Sequence, residues 1–151
     1  GSKRFVSNVY NKVQRHMAVI DTTDSWTYNT TTWRRANGAS GAGNALEFVS
    51  AVGGDAASAD LTQAVQMGST GFGYWGINLD SSSARGLIGV VLYTPSTTYD
   101  RVAKVDWRGT PGAGYHYLAW LERGGAATVT RNGDAAESGL RQSGMQGLVW
   151  T

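Results

Sequence analysis

The segment Ala113–Arg123, AGYHYLAWLER, constrains the fold of this chain more than any other stretch. Read with a period of two, Tyr115, Tyr117, Ala119 and Leu121 fall on one face, and His116, Leu118, Trp120 and Glu122 on the other. Both faces are largely apolar, so the segment suits an interior strand covered on both sides. At helical spacing the same apolar residues scatter around the axis, and the density of aromatics favours a pleated surface. Pro111, Gly112 and Gly114 before it, and Gly124-Gly125 after it, end the pattern on each side.

Shorter runs of the same style fill the chain from Met17 onward. Met17–Asp21 is apolar, Ser25–Asn29 sets Trp26 and Tyr28 against Ser25 and Thr27, and Thr31–Asn37 continues to a loose linker, Gly38–Gly43. Asn44–Val52 and Ala59–Met67 alternate again. Gly68–Gly76, GSTGFGYWG, reads as the most glycine-rich turn, with a strand beginning at Trp75, Ile77 and Leu79. Gly86–Tyr93 reads as a further interior strand. Tyr99–Arg108 places Val102, Lys104, Asp106 and Arg108 on one wet face. Asn132-Gly133 is the dipeptide of a type I′ hairpin tip, and Ser143–Trp150 closes the chain.

A chain of 151 residues has the size of one domain, and Gly 21 against Pro 2 fits many short strands joined by tight turns. The pattern predicts an all-β fold, an antiparallel two-sheet β-sandwich of jelly-roll type. Residues 1–2 read as the remnant of a cleaved expression tag, 3–16 as an N-terminal leader or neck, and 17–151 as a single sandwich domain. In the leader Val6, Val9 and Val13 repeat at intervals of three and four, which leaves a helical neck and an extended segment both open.

The chemistry is quieter than the architecture. The formal charge is +2 and the Lys and Arg are scattered, so no nucleic-acid partner is expected. Cysteine is absent, which removes disulfides and thiolate metal sites. No apolar run approaches the roughly 20 residues that span a bilayer, so no membrane insertion is expected. His16 and His116 are the only histidines, and neither a GxSxG elbow nor an HExxH or EF-hand pattern is present. His116 fits a packed or hydrogen-bonded role better than that of a base. Asp80, Asp100, Asp106 and Glu122 are carboxylates that a glycosidase would need in pairs, but nothing in one dimension pairs them. No catalytic residue, cofactor or metal is therefore expected.

Aromatic side chains are the suggestive feature, with Trp 6, Tyr 7 and Phe 3. Trp26, Trp107 and Trp120 lie on alternating strand faces and read as core. Phe72, Tyr74, Tyr93 and Tyr99 lie in or beside glycine- or proline-containing turns, where a ring has reason to face outward; they are the candidate ligand-binding surface.

The segments NVYNKVQRHM, DSWTYNTTTWRRANG, WGINLDSSSA, PGAGYHYLAWLERGG and QSGMQGLVW, in that order, span nearly the whole chain. Together they resemble a domain found at the C-terminal end of tailed-bacteriophage structural proteins of the tail-fibre and virion-appendage class. That resemblance implies a β-rich terminal module on a longer oligomeric fibre or spike, commonly trimeric, that touches a host-surface glycan or protein or decorates the particle. It implies a virion location, extracellular after release, and no catalytic residues. Val6, Val9 and Val13 of the leader and Trp150 near the C-terminus are the expected subunit interface of a homotrimer. A carbohydrate-binding module using exposed aromatics, and a polysaccharide depolymerase domain, are the alternatives.

Overall fold

Among the described residues the alternation in the sequence becomes eleven strands: β1 (Gln14–Ile20), β2 (Ser25–Thr27), β3 (Arg34–Arg35), β4 (Ala45–Ser50), β5 (Ala57–Met67), β6 (Gly71–Leu79), β7 (Ile88–Thr94), β8 (Tyr99–Gly109), β9 (Gly114–Arg123), β10 (Val129–Asn132) and β11 (Gly144–Trp150). One 3-10 turn follows β3 at Ala36–Gly38. The computed structural model describes residues 12–41, 43–67, 71–83, 88–94, 99–125, 129–134 and 142–150.

Six strands form a first sheet in the order β1-β11-β5-β10-β2, with β8 along the other flank of β5. Five form a second, ordered β3-β9-β6-β7, with β4 sharing the β3 flank of β9. Setting aside the short β2, β3 and β10 leaves β1-β11-β5-β8 against β4-β9-β6-β7. That is the strand order of a jelly roll, in which Greek-key connections carry the chain back and forth between two antiparallel sheets. The all-β sandwich expected from the alternation is the fold adopted.

β9 is interior as expected, flanked by β6 on one side and by β3 and β4 on the other. Its inward row, Leu118, Trp120 and Glu122, is fully buried, as are Ala119 and Leu121 on its outward row. β5 sends Ala57, Ala59, Leu61 and Val65 inward, and β8 sends Ala103, Val105 and Trp107. Trp26, Leu46, Phe48, Trp75, Ile77, Val129, Met145 and Val149 join them in the core. Each such large side chain contributes about 1.5–3 kcal/mol by leaving water. The wet face of β8 is as expected, with Val102, Lys104, Asp106 and Arg108 exposed.

One alternative left open is decided, and three expectations change. The leader is extended where it is described: Gln14–His16 already belong to β1 and pair with Trp150–Leu148 of β11. Val6 and Val9 lie outside the described residues. The GSTGFGYWG stretch is not a turn through Gly76, because β6 begins at Gly71. A Cβ on Gly73 would sit 2.2 Å from the Trp75 ring, so this glycine makes room for an indole on the same face. The apolar run expected as a further interior strand is, over Ile88–Tyr93, part of the end strand β7 of the second sheet, with β8 approaching it. Asn132-Gly133 is not a type I′ tip, for neither residue has positive φ. A Cβ on Gly133 would meet the carbonyls of Thr23 and Asp21 at 2.3 and 2.8 Å; close approach, not turn geometry, demands glycine there.

The flank of β5 opposite β8 is shared by β11, paired with Ala57–Thr62, and β10, paired with Ala64–Met67. Gln63 falls in the gap and is fully buried. Its Nε2 donates to Asn132 O at 2.9 Å and to Ser143 Oγ at 3.0 Å, while Ala64 N donates to Ser143 Oγ at 2.8 Å. Side chains thus replace ladder bonds where the two strands part.

The interior also holds ions. Glu122 and Arg131 are both 0% exposed, and Arg131 Nε lies 2.7 Å from Glu122 Oε2. The contact is ionic, since the Nε–H makes no hydrogen bond. Trp26 Nε1 donates to the same oxygen at 2.8 Å, while Arg34 Nε (2.9 Å) and Asn37 N (3.1 Å) donate to Oε1. Burial pushes the Arg131 guanidinium below its usual range, and Glu122 pulls the other way. Replacing Glu122 by Gln leaves Arg131 charged and uncompensated, with an expected loss of roughly 3–5 kcal/mol. A Glu122→Met/Arg131→Met double variant is expected to lose less than the single one. Urea denaturation measures both, and a Glu122→Gln protein as stable as wild type would refute this account.

Candidate functional site

Pairing across the second sheet decides which side chains reach its outer face. Tyr74 stands opposite Arg123, and Gly76 opposite Leu121. Arg35 stands opposite Leu121 from the other side, and Glu47 opposite Tyr117. The outer face therefore gathers Phe72, Tyr74, Arg123, Arg35, Glu47, Tyr117 and Tyr115, while Trp75, Trp120 and Glu122 point inward between the sheets.

Trp33, just before β3, joins this face. Its ring meets Tyr74 edge to face at 6.4 Å between centroids, and Phe72 lies 6.4 Å from Tyr74 on the other side. Such spacings are those of interacting aromatic pairs. Phe72 is 41% exposed, and Trp33 and Tyr74 are half-buried. The Arg123 guanidinium lies over the Tyr74 ring at 5.0 Å, and that of Arg35 over Tyr117 at 4.8 Å. Tyr115, 58% exposed, hydrogen-bonds Glu47; partial burial first, and then that bond, raise its phenol above the usual 10.0.

At the β3 edge the face runs into an open groove of about 590 Å³, lined by Trp33, Arg34 and Arg35, by the Gly38–Gly41 stretch and by Ser82 and Ser83. The stretch expected as a loose linker is thus one wall of the groove. Ala39 N donates to Ala36 O and Gly43 N to Ser40 O, both at 3.1 Å, and Arg35 Nη1 donates to Gly41 O. Asn37 and Asn44 adopt positive φ, and their Nδ2 groups donate to the Asp21 carboxylate from 3.3 and 2.6 Å. This binds the turn to the end of β1.

Of the four expected ligand-binding residues, Phe72 and Tyr74 come together here. Tyr93 is opposite Phe72 in the β6–β7 register, and Tyr99 opens β8 in the first sheet, opposite Met67. The side chains of Tyr93 and Tyr99 lie outside the described part. The sequence reading missed Trp33, Arg35 and Arg123. The signal was present: Trp33 and Arg35 are two apart in an extended run, and Arg123 continues the Tyr115–Tyr117 row. Of the expected interface residues, Val13 (45% exposed) and Trp150 (42%) both lie at one end of the β1–β11 pair, where Gln14 is opposite Trp150.

The carboxylates considered for catalysis are engaged or separate. Glu122 is the buried ion described above. Asp106 stands opposite Asp60 on the wet face of the first sheet, both exposed. The side chain of Asp100 is outside the described part. Asp80, at positive φ, accepts from Tyr117 N at 3.0 Å and faces His116 Nδ1 at 2.7 Å, while His116 Nε2 faces Gly112 O at 2.8 Å. Both partners of this ring are acceptors, so only the doubly protonated imidazole satisfies them together. Among the described residues, no three His, Asp or Glu side chains gather as a metal set.

The Asp80 hydrogen bond, helped by Gly112, raises the His116 pKa above 6.5. A raised folded value stabilises the fold fully below 6.5 and loses that contribution as pH rises through the folded value. The wild-type unfolding midpoint is therefore expected to fall on going upward from pH 6.5 relative to Asp80→Asn. Thermal scans across this range check it, and parallel curves for the two proteins would refute it. Neither a protein-family model nor a curated protein matches this chain, so its site is read from geometry and chemistry.

Proposed function

We propose that this domain is a non-enzymatic attachment module of a bacteriophage virion, a tail-fibre or capsid-appendage tip, that binds host-surface saccharide on the outer face of the second sheet. The observation that carries the binding reading is the sorting of the aromatics. Trp75 and Trp120 are fully buried, while Trp33, Phe72 and Tyr74 surface side by side and run into a groove. Sugar rings lay their C–H faces on such rings and direct hydroxyls to flanking polar groups, here Ser40, Ser82 and Ser83. The virion reading is supported by the ordered resemblance of the five segments.

Association as a homotrimer is part of this proposal, with Val13 and Trp150 as exposed apolar contributors. Several copies would multiply a weak site through effective concentration. The monomeric carbohydrate-binding module shares the same face and differs in assembly. Light scattering separates them: a trimer weighs three times the 16.0 kDa of one chain, and a monomer at micromolar concentration would count against the fibre-tip reading.

A glycan array tests the face itself. Trp33→Ala and Tyr74→Ala are expected to weaken binding to one glycan class by about tenfold or more each, as loss of a stacking ring does. Retention of full binding in both variants would sink this assignment. Incubation with bacterial capsule or lipopolysaccharide is expected to release no new reducing ends; their appearance would restore the depolymerase alternative.

A further inference from the structure

We infer that the groove at the β3 edge selects an anionic saccharide, a sugar chain bearing carboxylates, with a ring stacked on Trp33 and a carboxylate held by Arg35. This rests on the saccharide reading above and adds the ligand's charge. Four arginines, 34, 35, 123 and 131, gather around this end of the second sheet, and Glu122 is the carboxylate that meets two of them. The other two, Arg35 and Arg123, make no ion pair among the described residues. The whole chain carries only +2 and 16% charged residues, so this concentration is local and not a by-product of a basic protein.

The unpaired arginines are held in place without being neutralised. Each guanidinium lies over a tyrosine ring, which positions the plane and leaves the charge intact. The Nε of each is buried with no hydrogen-bond partner. A neutral sugar would use the rings and leave these two guanidiniums without an ionic partner. A carboxylate matches the guanidinium fork with charge-assisted hydrogen bonds. At about 590 Å³ the groove has the volume of a small-ligand site, and Ser40, Ser82 and Ser83 add hydroxyl partners on its walls.

The test titrates the domain with polygalacturonate, alginate, hyaluronan and polysialic acid, each beside its carboxyl-reduced form. Single-stranded DNA and a polyglycerol phosphate chain serve as other polyanions. Binding of an acidic polymer is expected to be about tenfold or more tighter than that of its reduced form. Arg35→Gln is expected to erase this difference, Arg35→Lys to restore part of it, and Lys104→Gln, on the first sheet, to leave it unchanged. Equal binding of acidic and reduced forms, or binding of neutral glycans alone, would overturn the charge assignment while the saccharide reading stands. Equal binding of DNA, insensitive to Trp33→Ala, would overturn it in favour of general polyanion attraction. Preference for the phosphate chain, dependent on Trp33, would overturn the carboxylate assignment. No binding to these polymers or to any glycan on the array would remove the saccharide reading and this inference together.

Discussion

Glu122 is a carboxylate sealed from water, and much of the architecture around it follows from keeping that ion tolerable. An isolated buried charge costs several kcal/mol even after relaxation, so it persists only where donors converge on it. Those donors come from β2 (Trp26), β3 (Arg34) and the turn at Asn37, and a counter-charge from β10 (Arg131). β2 and β10 belong to one sheet, and β3 and Glu122 itself to the other. Polar geometry, and not only apolar packing, thus fixes the two layers against each other at this end. The outer site depends on the same ion. β3 has two residues and little ladder of its own. With Arg34 drawn inward to Glu122, the alternation of an extended chain sends Trp33 and Arg35 to the opposite face.

Burial of the aromatics is decided by glycine as much as by the rings. Trp75 occupies the space above Gly73, and Trp107 the space beside Gly109, where a Cβ would lie 2.7 Å from its ring. In both cases the glycine is two residues from the tryptophan on the same strand face, a spacing that lets a bulky ring lie back along its own strand. Since Gly73 and Trp75 take the inner face of β6, Phe72 and Tyr74 must take the outer one. The glycine-rich string in this region is therefore a packing device within a strand, and it sorts core rings from surface rings.

The sequence made β9, β5 and β8 legible because their alternation is long and their faces differ in kind or are both apolar. It exposed the sandwich for the same reason. It misassigned Asn132-Gly133 because the glycine that favours positive φ is also the one residue without a Cβ, which the Thr23 and Asp21 carbonyls leave no room for. It left Glu122 among possible catalytic acids because a period-two reading places a carboxylate on a face without showing what converges on it. Trp33 was hidden by the brevity of β3, whose face only becomes definite once Glu122 and Leu121 stand opposite Arg34 and Arg35. The candidate site was half legible: Phe72 and Tyr74 are local features of one strand, whereas Arg35 and Arg123 meet them only through pairing across β9.

An open groove beside a flat row of rings has consequences for how such a module would work. A shallow site buries little of its ligand and orders few polar contacts, so each engagement is weak and short-lived. Charge changes the approach more than the hold, since an uncompensated positive field steers an anionic polymer and speeds encounter while salt screens it. A repeated polymer also offers the same unit again as soon as one is released. Firm attachment through a face of this kind has to come from several copies acting at once. On the proposed reading, the apolar end of the β1–β11 pair and the arginine-bearing face of the second sheet are then complementary halves of one device. One gathers copies, and the other gives each copy a modest, rapidly renewed grip.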